Sequence, residues 1–299
     1  MRKIVVPTDF SPDAQKAYGL AGQIAIKSNS EIVLLHILTS HLDFINSMSY
    51  GGYAPNVVFD QDPSTEIQKA QTKLDELVNS DAFGGAKVSY FISKSFRSDP
   101  LKDVLSFLNK HEHSLIVMGT SGDDFGGDTN AEVVARKSTI PVLTLRDEIV
   151  DFDIKKILVP TDFHAFDLKF MDRVAGLANV LEASIEFVYI NTPKHFKDTD
   201  YTEKEWARFK KKYRLSKETF SVFNDHDVEL GIVKMVERSN ASLLALATHG
   251  RTGLGHIFRG SYTEDVINNI SIPVYSYNMS NDYHPYSYNT VVETRGFTG

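Results

Sequence analysis

Lys3-Ile4-Val5-Val6-Pro7-Thr8-Asp9-Phe10 returns as Lys156-Ile157-Leu158-Val159-Pro160-Thr161-Asp162-Phe163, identical at seven of eight positions with an offset of 153. A repeat of that length settles the organisation of the chain, because it means two copies of one domain. The same offset carries Glu31-Ile32-Val33-Leu34-Leu35-His36-Ile37 onto Ser184-Ile185-Glu186-Phe187-Val188-Tyr189-Ile190. Further along, Ser114–Gly122 aligns with Ser242–Gly250, and Ile140-Pro141-Val142-Leu143 with Ile272-Pro273-Val274-Tyr275. The copies run over residues 1–146 and 154–279, joined by the short acidic stretch Arg146–Asp153, and residues 280–299 form a polar tail with Tyr283, Tyr286 and Tyr288.

Within each copy, β-branched-rich runs of strand length alternate with helical patterns, the signature of βαβ units on a mostly parallel sheet with helices on both faces. Strands are expected near 2–7, 31–37, 87–93, 114–119 and 141–145, and again near 155–160, 184–190, 219–224, 242–247 and 273–277. First-copy helices are expected near 12–27, 62–79, 99–110 and 129–137. Ser11-Pro12 and Ser98-Asp99-Pro100 supply a capping side chain and a first-turn proline. Residues 39–60, rich in Ser, Gly and Asn, make the first copy longer and read as a long excursion, a lid or a partner surface. The tail has no periodicity and is expected to be poorly ordered or to lie across a neighbouring surface.

At 299 residues with 42% hydrophobic and 24% charged residues, the chain has the composition of a globular protein with room for two cores. A formal charge of -7 argues against a nucleic-acid surface. The basic run Arg208–Arg214 follows Glu203-Lys204-Glu205 and reads as the solvated face of a helix. Without cysteine there is no disulfide frame or thiol centre. With no signal-peptide pattern and no apolar run approaching the roughly 18 residues of a membrane span, a cytoplasmic location and no membrane partner are expected. His111-Glu112-His113 places ligand types two apart, on different faces of a helix end, and reads as a solvated turn rather than a metal site.

The second copy ends its fourth strand in a glycine-rich loop, Ala247-Thr248-His249-Gly250 through Gly253, Gly255 and Gly260-Ser261-Tyr262, ahead of a helical pattern. Glycines let backbone approach an anion, and a helix start offers free N–H groups and the positive dipole end. Ser261 adds a hydroxyl for a phosphate oxygen or its metal. The loop has no Gly-x4-Gly-Lys-[Ser/Thr], and Gly253-x-Gly255 has Phe258 where a third glycine would stand. Read without a ligand, it is a glycine-rich βα turn. In an open parallel sheet, ligands bind at the carboxyl ends of strands where strand order switches. That point collects Pro160-Thr161-Asp162, Ile190, Leu246-Ala247, Gly250 and Gly260-Ser261-Tyr262. Asp162 has a competing role, capping the helix that follows.

The loop resembles the nucleotide loop of the universal stress protein family, Gly-x2-Gly-x9-Gly-[Ser/Thr]. Nine residues separate Gly250 from Gly260, and Ala247 replaces the first glycine. The resemblance covers both copies and implies two tandem Rossmann-like (HUP-type) domains, each a five-stranded parallel sheet, that bind ATP or AMP, with or without magnesium, and pair through the last strand. Carried over residue by residue, it implies that Thr161 and Asp162 hold adenine and ribose. Ile190 and Leu246 line the base pocket, and Ala247, Gly250, Gly260 and Ser261 contact phosphates, with His249 and Arg251 nearby. Tyr262 stands where a small apolar residue is usual, and with the Ala247 methyl group it narrows the pocket.

In the first copy Gly122 leads into Asp123-Asp124-Phe125-Gly126-Gly127-Asp128-Thr129, so Asp128 takes the place of Gly260 and the acids repel a triphosphate. Three functions remain open: a nucleotide-binding regulatory module in stress survival, acting through an unidentified protein partner; a slow ATP hydrolase, for which no Walker lysine or catalytic-loop Asp/Asn pair exists; and a ligand-free scaffold. The two Ile-Pro-Val strands can meet within one chain as a pseudo-dimer, and a homodimer of chains is a further possibility.

Overall fold

The computed structural model describes residues 3–39, 63–95, 104–105, 107–108, 114–120, 130–147, 153–163, 168–248, 270–278 and 293–296. In chain order these form β1 (Lys3–Pro7), α1 (Pro12–Ser28), β2 (Glu31–Thr39), α2 (Pro63–Val78), β3 (Val88–Ser95), β4 (Leu115–Gly119), α3 (Asn130–Lys137) and β5 (Val142–Leu145). The second copy follows with β6 (Lys156–Pro160), α4 (Leu168–Leu181), β7 (Ser184–Asn191), α5 (Thr199–Tyr213), β8 (Thr219–Asn224), α6 (Val228–Ser239), β9 (Leu243–Thr248) and β10 (Val274–Asn278), and the tail adds β11 (Glu293–Gly296). Val104, Leu105, Phe107 and Leu108 are helical and buried, inside the helix expected near 99–110. Residues 40–60, the Ser98 cap and most of the tail lie outside the described residues.

The chain forms two compact units, Met1–Val117 with His284–Gly299, and Met118–Tyr283. In the first, the strand order is β11-β3-β2-β1-β4. β1 runs parallel to both β2 and β4, whereas β11 is antiparallel to β3, with Glu293 opposite Ser93 and Gly296 opposite Tyr90. A four-residue strand carries too little pattern to be read from sequence, and its pairing covers a sheet edge that would otherwise expose unpaired backbone groups.

The second unit is ordered β5-β10-β9-β6-β7-β8. Its β6, β7, β8, β9 and β10 are mutually parallel, the order expected of a Rossmann-like half, and β5 lies antiparallel against β10. The strands at the centre of each unit are apolar along their length, because helices cover both faces. β7 shows this directly. Phe187 packs on Trp206 and Phe209 of α5, and Ile190, on the alternate face, packs toward Gly231 of α6. Ile4, Leu34, Ile157, Phe187 and Leu244 are wholly buried.

Local chemistry fixes the helix ends. Ser11 caps α1 by accepting the Ala14 N–H at 3.2 Å, as its position before Pro12 foretells. Asp227 caps α6 through the N–H groups of Glu229 and Leu230 at 2.8 and 3.2 Å. Asn29 and Asn240 end α1 and α6 in the left-handed conformation, which asparagine tolerates better than most residues. In α5, Phe209 is buried while Arg208, Lys211 and Lys212 are exposed, the solvated face expected of the basic run.

Candidate functional site

In the second copy, β7 and β9 flank β6 on opposite sides. Chain order therefore reverses at β6, and the crevice of such a sheet opens at its carboxyl edge. Register then sets which residues meet there. Ile157 lies opposite Leu243 and Leu158 opposite Leu244, so continuing up the strands brings Pro160 level with Leu246. On its other side Pro160 pairs with Val188.

The turn leaving β6 is built by its threonine. The Thr161 N–H donates to the Val188 carbonyl at 2.8 Å, and Thr161 Oγ1 accepts the Phe163 N–H at 3.0 Å. Phe163 takes φ 65°, a left-handed conformation that costs a non-glycine residue about 1 kcal/mol. Aromatic packing offsets that cost. The Phe163 ring stacks on Tyr189 at 5.4 Å and 16° and meets Phe220 at 5.3 Å.

The first copy repeats the geometry bond for bond. Thr8 N–H donates to Leu35 O at 2.9 Å, Thr8 Oγ1 accepts the Phe10 N–H at 3.0 Å, and Phe10 has φ 66°. There the ring packs on His36 at 4.7 Å, with the Lys73 ammonium 5.3 Å above it. Thr-Asp-Phe is thus a turn motif in which hydroxyl and ring lock the backbone and the acid sits between them at the edge.

Asp162 is half-exposed, while Thr161 beside it is buried. In the first copy Ser11, not Asp9, caps α1, and Asp9 accepts the Ser11 N–H at 2.9 Å. Burial opposes the Asp9 charge, but its hydrogen bonds from Ser11 prevail and hold its pKa below the usual carboxylate value. The Tyr189 phenol is pushed up by burial first, then by Tyr201 and Asp162, so the Asp162 charge is felt at the end of β7.

Ile190, Leu246 and Ala247 are all buried, at 6%, 3% and 4% exposure. Ile190 packs so closely on α6 that a Cβ at Gly231 would stand 2.5 Å from its Cγ2. Ala247 pairs with Tyr277 of β10 and Leu246 with Ser276. Gly250, Gly260, Ser261 and Tyr262 lie outside the described residues, as do the first-copy acids Asp123, Asp124 and Asp128 and the His111-Glu112-His113 triplet. Among the described residues no group of three acid, histidine or cysteine side chains is arranged to hold a metal, and no helix is long and apolar enough to cross a membrane.

Two residues here carry no distinctive signal in the sequence. Asn191 accepts the Lys197 N–H at 2.9 Å and donates through Nδ2 to Lys197 O and Asn224 Oδ1, both at 3.1 Å, pinning the loop after β7. Thr192 follows it, 3% exposed, and its hydroxyl has no hydrogen-bond partner. The polar Asn191-Thr192-Pro193 at the end of a strand is the one hint along the chain, but such triplets also close ordinary loops.

Residues 1–146 and 153–277 each match the universal stress protein family. A universal stress protein of Methanocaldococcus jannaschii, MJ0531, is 27% identical over 135 residues, 40% of this chain and 79% of that protein. A universal stress protein of Archaeoglobus fulgidus superposes with a TM-score of 0.66 at 17% identity, covering 94% of this chain and 97% of that one. A protein of Pseudomonas aeruginosa UCBPP-PA14 described as a universal stress protein gives 0.58 at 16% identity, covering 93% of each chain. The two matched halves, together more than nine-tenths of the residues, make this chain a tandem member of the universal stress protein family.

Proposed function

We propose that the second domain, residues 154–279, binds an adenine nucleotide and that the protein acts as a non-catalytic regulatory module whose occupied state changes its contacts with a protein partner. One observation carries this reading. At the strand-order switch, the locked Thr161–Phe163 turn and its half-exposed Asp162 lie beside the end of β9, from which the Gly250 to Gly260-Ser261 loop departs. The groups suit such a ligand. A carboxylate accepts from ribose hydroxyls or an amino edge, apolar residues flank it, and a glycine-rich backbone followed by Ser261 suits phosphates. ATP and AMP are the candidates, and magnesium would travel with the phosphates of the former. The first domain, with Asp128 in the place of Gly260, serves as a structural or partner-binding half.

Equilibrium binding of labelled ATP and AMP to the full chain and to Gly260→Asp tests the proposal. Binding that the substitution abolishes supports it, whereas no binding by the unmodified chain overturns it in favour of the ligand-free scaffold. The burial of Ile190, Leu246 and Ala247 is the observation that favours the scaffold, since it leaves these side chains little free surface. Rapid turnover of ATP would instead require a catalytic reading.

A further inference from the structure

We infer that Thr192 is a ligand-facing residue of the second domain, its hydroxyl held for a hydrogen bond to the base end of the bound nucleotide; this rests on the nucleotide reading above. A buried hydroxyl without a partner is rare and destabilising, because it forfeits its bonds to water and gains none. Thr192 is 3% exposed, and its Oγ1 is the buried side-chain oxygen or nitrogen left without a partner among the described residues. Its backbone, φ -106° and ψ 156°, continues the extended conformation of β7. Alternation along the strand therefore puts Thr192 on the same face as Ile190, one step nearer the carboxyl edge.

The neighbouring position is fully committed. Asn191 spends its side chain on Lys197 and Asn224, and its carbonyl accepts the Asp225 N–H at 3.2 Å. The loop is thus held from the opposite face, and nothing in it turns back to satisfy Thr192. Strand order then says which part of a ligand this hydroxyl meets. β6 separates β7 from β9, and the glycine-rich loop departs from β9. Phosphates gathered on that loop leave the base on the β7 side, where an adenine presents an amino donor and ring acceptors. A hydroxyl pairs with either.

The test uses the full chain with Thr192→Val, which keeps the shape and removes the hydroxyl, and Thr192→Ser, which restores it. The probes are ATP and inorganic tripolyphosphate. Thr192→Val is expected to weaken ATP binding about five- to tenfold, as one lost hydrogen bond does, while Thr192→Ser recovers it and tripolyphosphate binding stays the same. Without ligand, Thr192→Val is expected to melt higher than the unmodified chain, since an orphaned polar group has been replaced by an apolar one of the same size. A role confined to the structure would not raise stability and weaken ATP together. Unchanged ATP affinity in Thr192→Val overturns the inference and leaves the nucleotide reading standing. A lower melting temperature shows that the hydroxyl is satisfied within the protein and also overturns it. No ATP binding by the unmodified chain overturns both.

Discussion

Leu143 and Tyr275 hold the same place in the two copies of the repeat, and in β5 and β10 they stand directly opposite each other. The pairs on either side, Thr144 with Val274 and Val142 with Ser276, exchange under the repeat, so the strand pair has its own local two-fold. The side chains follow it. Thr144 Oγ1 donates to Val274 O at 3.4 Å, and Ser276 Oγ donates to Val142 O at 3.2 Å. The strands that follow the two Ile-Pro pairs thus lie antiparallel to each other.

Tyr275, 1% exposed, is among the largest fully buried side chains. Tyr275→Ala removes a ring from a packed centre and is expected to lower stability by about 3–5 kcal/mol, read from the urea midpoint at constant slope. A loss below about 1 kcal/mol would show that β5 and β10 do not pack around this residue.

The same substitution at two helical glycines is expected to act in opposite directions. At Gly22 of α1, an added Cβ runs into the Phe83 carbonyl oxygen and stands 2.7 Å from its carbon, and backbone cannot swing aside. At Gly176 of α4, exposed, nothing lies within 4 Å. Alanine gains about 1 kcal/mol over glycine inside a helix, whereas overpacking costs about 1–3 kcal/mol. Gly176→Ala should therefore raise the melting temperature and Gly22→Ala lower it, and matching shifts for both would refute the packing described at Phe83.

His36 makes the first domain sensitive to acid. Burial pushes its imidazole below the usual value, against the Thr8 carbonyl bond at 2.7 Å and the Asp9 charge, with Lys73 adding to the depression. The unfolded chain thus takes up the proton first, so stability is fully present above about pH 6.5 and falls as pH drops through the folded value. Replacing His36 by Gln should flatten that part of the curve in denaturation at pH 5 to 8, and an unaltered slope would assign the acid sensitivity to other groups.

Tyr90 produces the converse at high pH. Burial, then its hydrogen bond to Asp75 Oδ1 at 2.9 Å and that carboxylate's charge, pushes its phenol up to about 12. The unfolded chain loses the proton first, so stability present below about pH 10 is lost as pH rises toward 12. Tyr90→Phe should cost about 1 kcal/mol at neutral pH and remove this alkaline dependence. If the unmodified chain and Tyr90→Phe decline in parallel above pH 10, Tyr90 is not the group responsible.

Much of this molecule is legible in the order of its residues. Repetition of Lys3–Phe10 at Lys156–Phe163 announces two domains, and the apolar runs of strand length, the helical patterns and the Ser11-Pro12 cap depend only on neighbouring residues. The same octapeptide marks the turn beneath Asp162. Its working parts, the Thr161 hydroxyl on the Phe163 N–H and the left-handed Phe163, emerge only in three dimensions, because they depend on which backbone groups the turn brings together. The glycine-rich loop after β9 is legible as a motif, and Gly250, Gly260 and Ser261 lie outside the described residues.

By itself the sequence determined the duplication, the order of strands and helices, and the acids that occupy the first loop, because each is written in spacing and residue type along the chain. Tertiary structure alone decided that the tail's Glu293–Gly296 adds to β3, that Gly22 must stay bare beneath Phe83, and that Thr192 is buried without a partner. These outcomes depend on which distant groups are brought together and which are shut away from water, and no local pattern in the chain encodes that.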